Sequence, residues 1–266
     1  MTNHVFAKNP ILLIGGGVGP MAGVELHKKI IENTRTEGSD QDHFNLIHLS
    51  FSSLIEDRTK YVLGESSNNP GSAMAEIVRR AALGFVEQGD DSQNPIVLGI
   101  PCNTFHAPVI WGSFIESLGS LRERVQILHM LHESLSLLRD RVPKAKKIGL
   151  LSTTGTRESG LWYNLLESSA YEVLQVNERN QELVHEAIYH RQWGLKAQSP
   201  ASPRAVERLQ AITRELIAVG AEAIILGCTE LPLALPQASF DGVPLVDPVL
   251  ALARAMISRA DAKKLL

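Results

Sequence analysis

Twice in this chain an amphipathic helical pattern runs into a glycine, then into a short aliphatic run, and then into one of the chain's two cysteines. In the first instance Ile77, Val78, Ala81, Ala82, Phe85 and Val86 recur at helical spacing toward Gly89, and the run at 96–100 delivers Cys102. In the second, Val206, Leu209, Ile212, Leu216, Ile217 and Val219 lead to Gly220, and the run at 223–226 delivers Cys228. Apolar residues three and four apart mark one face of a helix, whereas a short unbroken apolar run bounded by turn residues reads as a strand buried on both faces. Alternating helix and buried strand implies parallel pairing through right-handed crossovers. Such sheets present ligand-binding groups at the carboxyl ends of their strands, which is where both cysteines fall.

Further units follow the same plan. The run at 11–14 enters the glycine turn at 15–20 and a helical pattern extending to about residue 36. A similar opening at 148–156 precedes a helical stretch with Leu161, Leu165 and Leu166. After each cysteine comes one more strand and helix, at 125–128 and at 243–246, the latter ending in Asp247-Pro248, a good helix cap and first-turn pair. The expectation is an α/β fold of two pseudo-symmetric Rossmann-like domains, each a short parallel sheet flanked by helices, with the active site in the cleft between them. Residues 1–122 plus 240–266 are expected to form one domain, completed by the C-terminal strand and helix, and 123–239 the other. The stretches 64–72 and 189–203 lack a clear period and read as loops, the second a lid carrying Lys196.

Composition narrows the function classes. With 266 residues, 44% hydrophobic and 21% charged, the chain has an ordinary globular balance. A net charge of −3 and the lack of a dense Lys/Arg block argue against nucleic acid. No apolar run approaches membrane-spanning length and the first residues do not resemble a signal peptide, so a cytoplasmic location and free thiols are expected. The nine histidines are scattered without a metal-ligand pattern, H-E-x-x-H or G-x-S-x-G, so neither a metal site nor a serine hydrolase is expected. Gly17, Gly19 and Ala22 match G-x-G-x-x-A, but the next strand ends in Ser50 rather than in an acidic residue for a ribose hydroxyl. The turn is read instead as bringing backbone N–H groups to a carboxylate.

A buried cysteine is often an inert hydrophobe, and Arg58, Lys196, Glu230 and the threonines at 153–156 have ordinary readings as solvated or turn residues. Two cysteines at matched strand ends favour chemistry. Facing thiols suit removal of a proton from one face of a carbon and its return to the other, provided that one is thiolate and the other thiol. Helix N-terminal amides would favour the thiolate.

The segments Pro-Cys-Asn-Thr-Phe-His at 101–106, Gly-Cys-Thr-Glu-Leu-Pro at 227–232, Gly-Gly-Val-Gly-Pro at 16–20 and Ile-Glu-Asp-Arg-Thr at 55–59 together resemble the aspartate/glutamate racemase family, its aspartate racemase branch most closely. The resemblance implies a cofactor-independent amino-acid racemase, a homodimer, with Cys102 and Cys228 as alternating acid and base. It implies substrate contacts from Val18, Arg58, Asn103, Thr104, Thr154, Lys196, Thr229 and Glu230. Aspartate is the first expected substrate, with glutamate or a broader set next. The alternatives are a cysteine-dependent isomerase or lyase of the same superfamily acting on maleate-like or hydantoin-like compounds, and a catalytically silent amino-acid-binding protein. Val18, Met21, Phe105 and Gln198 depart from the family pattern, and Phe105, beside Cys102, is expected to reshape the pocket most.

Overall fold

The computed structural model describes residues 10–86 and 96–266. Gly89 and the side chains of Phe85 and Val86, expected to end the first helical face, lie outside that description. The chain forms two sheets of the same strand order. In the first, β1 (Ile11–Gly16) is flanked by β2 (Asn45–Ser50) and β3 (Ile96–Gly99), with β4 (Val125–Ile127) beyond β3, all parallel. In the second, β5 (Lys147–Ser152) is flanked by β6 (Glu172–Gln175) and β7 (Ala223–Gly227), with β9 (Val243–Val246) beyond β7. The two-residue β8 (Ser239–Phe240) adds an antiparallel edge.

Strand periodicity assigns the faces. Leu12, Ile14 and Val97 of the first sheet, with Ile148, Leu150, Ile225 and Val246 of the second, join one continuous core. Side chains of odd and even strand positions point to opposite faces, so Ile11, Leu13, Ile96 and Leu98 fill a second cluster and Leu151, Ile224 and Leu226 a third. Helices α1 (Pro20–Glu32), α5 (Met130–Arg141) and α11 (Pro248–Asp261) contribute Leu26, Leu131, Leu135, Leu252 and Met256 to the shared core. The outer face of the first sheet is covered by α3 (Pro70–Val86) and α4 (Pro108–Leu118), and that of the second by α8 (Glu178–Tyr189) and α9 (Pro203–Ala218). Among the described residues no helix is long and apolar enough to cross a membrane.

Several elements differ from expectation. The strand at 125–127, assigned to the second segment, is hydrogen bonded to β3, and the strand at 243–246, assigned to the first, to β7. Each crossover therefore returns its strand to its own sheet, and α11 packs across, against α1 and α5. Helix α1 ends at Glu32, where the Asn33 N–H turns back onto carbonyls of the last turn. Pro70, in the stretch read as a loop, begins α3, as suits a residue with fixed φ and no N–H to satisfy. The segment after α8 is tied down rather than free: Leu195 and Lys196 N–H groups donate to the Ala187 and Ile188 carbonyls at 2.9 and 3.0 Å. Trp193 stacks on His190 with Arg204 4.3 Å from its ring, and Trp193 and Leu195 are buried.

Candidate active site

In each sheet the chain leaves the first strand for one neighbour and later returns on its other side. Crevices open at such reversals of strand order, beyond the strand carboxyl ends. The loops following β1, β3, β5 and β7 meet there, and one small cavity is lined by Val18, Cys102–Thr104, Thr153, Thr156 and Gly227–Glu230, with Arg58, Tyr189 and Lys196. Its volume is about 10 Å³, room for about one water. Both thiols are free, buried and on this cavity.

On the first side, Arg58 opens α2 (Arg58–Val62), for which Asp57 is the cap. Its guanidinium is buried and donates from Nη2 to the Val18 carbonyl at 2.6 Å and from Nη1 to the Glu56 carbonyl at 3.1 Å. The glycine turn, expected to bring N–H groups to a carboxylate, offers Arg58 a carbonyl. Burial opposes the Arg58 charge, but neighbouring Cys102 and Asp57 outweigh it and raise the guanidinium further. Asn103 accepts from the indole Nε1 of Trp162 at 3.0 Å. The buried Nε of Arg58 and Nδ2 of Asn103 have no hydrogen-bond partner among the described residues.

The Cys102 backbone is fixed from behind. Its carbonyl lies 2.8 Å from Nδ1 of His106, whose Nε2 accepts from the Met130 N–H at 3.2 Å. Nε2 is therefore unprotonated and Nδ1 is the donor. Burial, then His129, holds His106 well below its ordinary pKa, and the ring is neutral.

On the second side Glu230, 3% exposed, collects three donors: Lys196 Nζ at 2.5 Å, Cys228 Sγ at 3.0 Å and Thr229 Oγ1 at 3.1 Å. Burial alone would raise its carboxyl, but the Lys196 charge and these hydrogen bonds win and hold it below the usual range. Burial, then the Glu230 charge, pushes the Cys228 thiol well above its usual range. Cys228 is consequently an S–H donor. The backbone allows Glu230 in because Gly19 approaches it: with φ +140°, a Cβ there would stand 2.7 Å from Glu230 Oε1. Lys196 reaches the cavity with its ammonium already paired to Glu230, its side chain 25% exposed.

The cavity brings together nine of the ten sequence-singled residues: Val18, Arg58, Cys102, Asn103, Thr104, Lys196, Cys228, Thr229 and Glu230. Thr154 is not among them. Thr153 caps α6 (Thr154–Glu158) by accepting from the Thr156 N–H, so Thr153 and Thr156, three apart, face the cavity. Thr156 lies 2.8 Å from the Thr104 hydroxyl, while Thr154 lines a groove outside. Phe105 does not shape the cavity either; fully buried, it packs edge-on against Phe114 and Trp111 under the first sheet. Met21 and Gln198 are not on the cavity lining. The helical turns that directly follow the cysteines, Thr104–His106 and Leu231–Ala234, are short, so the helix N-terminal amides expected to favour the thiolate would come from single turns. Sequence reasoning missed Tyr189, His106 and Trp162. The i, i+3 spacing of Thr153 and Thr156 after a strand was a legible signal, whereas Tyr189 ends a helix with no motif.

The profile of the Asp/Glu/Hydantoin racemase family matches residues 16–256. A glutamate racemase of Ectopseudomonas mendocina is 26% identical over 208 residues, which span 76% of this chain and 73% of that protein. The structure of Picrophilus torridus aspartate racemase superposes with a TM-score of 0.72 at 23% identity, covering 95% of this chain and 94% of that one. Glutamate racemase of Francisella tularensis in complex with D-glutamate superposes with a TM-score of 0.59 at 18% identity, covering 98% and 84%. These likenesses carry the two-sheet fold, and the profile match over nearly the whole chain carries the family. The chain belongs to the Asp/Glu/Hydantoin racemase family and is a racemase.

Proposed function

We propose that the chain racemises an amino acid without a cofactor, aspartate first and glutamate next, by two-base proton exchange between Cys102 and Cys228. The observation that carries the reading is a single closed cavity holding both thiols together with two unspent buried donors, Arg58 Nε and Asn103 Nδ2. Buried donors without partners call for a ligand acceptor, and a carboxylate supplies it. The planar guanidinium suits that carboxylate, with Asn103 and the Thr104 and Thr229 hydroxyls completing the grip. Named relatives that act on glutamate and aspartate support an acidic amino acid.

In one direction Cys102, beside the Arg58 cation, is the thiolate and takes the proton from the substrate Cα. The C–H electron pair remains on Cα, conjugated with the carboxylate, and the fixed cations and hydroxyls stabilise that charge in a site too small for bulk water. Cys228, resting as the thiol hydrogen bonded to Glu230, delivers its proton to the opposite face. The product leaves Cys102 as thiol and Cys228 as thiolate, which is the state required by the other enantiomer. Lys196 offsets the Glu230 charge so that a thiolate at Cys228 does not face an uncompensated carboxylate.

Incubation of each aspartate and glutamate enantiomer in heavy water tests this. Deuterium should enter Cα, and optical rotation should decay to zero with no added cofactor. Cys102→Ser and Cys228→Ser should each slow inversion by about 10²–10⁴-fold, the usual worth of a positioned acid or base. Absence of exchange across a panel of amino acids would refute the reading.

A further inference from the structure

We propose that Tyr189 is the specificity-determining residue of this site: its phenol, tied to Thr59 across the cleft, seals the cavity from an outer groove and limits the length of the amino acid admitted. The size-selection half rests on the racemase reading; the closure half does not.

The cavity has room for about one water, so an amino acid enters only if a wall moves. Most of that wall is backbone-anchored, coming from the turns immediately after four central strands. Tyr189 is different, being the last residue of α8 and common to the linings of the cavity and of the groove outside, whose volume is about 640 Å³. The groove side of the ring is stacked on His185, centroids 4.7 Å apart and planes 13° from parallel. Lys196 Nζ lies 5.3 Å from the ring centroid.

The hydroxyl makes the tie. Tyr189 Oη and Thr59 Oγ1 are 3.2 Å apart, joining the end of α8, which packs on the second sheet, to α2, next to Arg58. Beside it α2 and α6 touch without intervening side chains, since a Cβ on Gly155 would fall 2.6 Å from Thr59 Oγ1 and 2.8 Å from Thr59 Cα. Burial raises the Tyr189 pKa, so the phenol stays neutral and the tie is one uncharged hydrogen bond. Swinging the ring outward therefore breaks that bond and a stacking contact, and joins the cavity to a space large enough for a longer side chain. With the ring in place, length is limited on that side.

Tyr189→Phe keeps the ring and cuts the tie, Thr59→Val cuts it from the other partner, and Tyr189→Ala removes the ring. Alkylation of each cysteine, followed by peptide mass spectrometry on the unliganded full chain, reads closure. Tyr189→Phe and Thr59→Val should each accelerate alkylation several-fold and Tyr189→Ala at least tenfold. The gain should be larger for a bulky maleimide than for iodoacetamide, which separates access from thiol reactivity. Circular dichroism and melting of Tyr189→Ala check its fold, and Tyr189→Phe carries the test if Ala does not fold. The glutamate-to-aspartate ratio of Cα exchange should rise at least tenfold in Tyr189→Ala and stay within twofold of wild type in Tyr189→Phe. Unchanged alkylation in Tyr189→Phe and Thr59→Val overturns the closure. Faster alkylation with an unchanged ratio in Tyr189→Ala overturns the size selection. A wild-type protein that exchanges no amino acid overturns the racemase reading and the size selection with it, while alkylation still decides the closure.

Discussion

Glu230→Gln removes one charge from a buried network and leaves its shape. Breaking a buried ion pair by neutralising one partner costs about 3–5 kcal/mol. The Lys196 side chain is 25% exposed, so water relieves part of its stranded charge, and Gln still offers an acceptor; about 2–3 kcal/mol remains. For 266 residues the entropy of unfolding is about 0.6 kcal/mol per kelvin, so Tm should fall by about 4–5 °C near pH 7. The pH dependence follows from the shifts. Glu230 is held below its usual 4.5, so its contribution is complete above that value and disappears as pH falls through the lower folded-state pKa. Lys196 is raised above 10.5, so its contribution is complete below that value and disappears as pH rises through the higher one. The deficit of the variant, read by denaturant unfolding, should thus be flat from about pH 5 to 10 and shrink toward acid. The same substitution removes the anion facing Cys228, so the pH midpoint for alkylating that thiol should move down. A variant as stable as wild type at pH 7, or a Cys228 midpoint that stays or moves up, would refute the assignment of Glu230 as the charged partner of both groups.

Trp162→Phe leaves the buried Asn103 amide oxygen without its donor; stability should drop by about 1–3 kcal/mol and KM should rise more than kcat falls, because Asn103 is left free to turn. Burial, then His132, lowers the His129 pKa to about 4, so that ring is neutral when folded and binds a proton on unfolding below about 6.5. Between those values it makes stability decline with acid, and His129→Gln should flatten the stability curve there by about 1 kcal/mol per pH unit in titrated denaturant unfolding. Gly19→Ala should lower Tm and slow exchange together, since φ +140° strains any L side chain by about 1–3 kcal/mol and the methyl would press on Glu230 Oε1. An unstrained, fully active Gly19→Ala would contradict the close approach.

Much of the architecture was legible because it rests on local repetition. Buried strands such as Ile11–Gly16 and Ala223–Gly227 announce themselves as unbroken apolar runs, and Asp247 as a helix cap ahead of proline. The Cys-Asn-Thr and Gly-Cys-Thr-Glu turns follow those strands directly, which made most cavity residues nameable in advance. What failed depended on direction or distance. Phe105 sits beside Cys102 in sequence yet turns beneath the sheet, because successive residues of a tight helical turn face different ways. Thr154 turns outward while Thr153 and Thr156 face the cavity for the same reason, and Tyr189 stands at the end of a helix that only tertiary packing aims at the cleft.

The sequence by itself determined the parallel α/β plan, its doubled helix–glycine–strand pattern and the placing of both cysteines at strand ends, since period, capping and crossover handedness are local properties of a chain. Only the tertiary structure decided which strand joined which sheet, that Lys196 spends its charge on Glu230, and that Cys228 rests as a thiol. Those outcomes depend on burial and on distances between groups far apart in sequence, such as Lys196 and Glu230, where a low-dielectric interior makes a hydrogen bond and a neighbouring charge decide protonation.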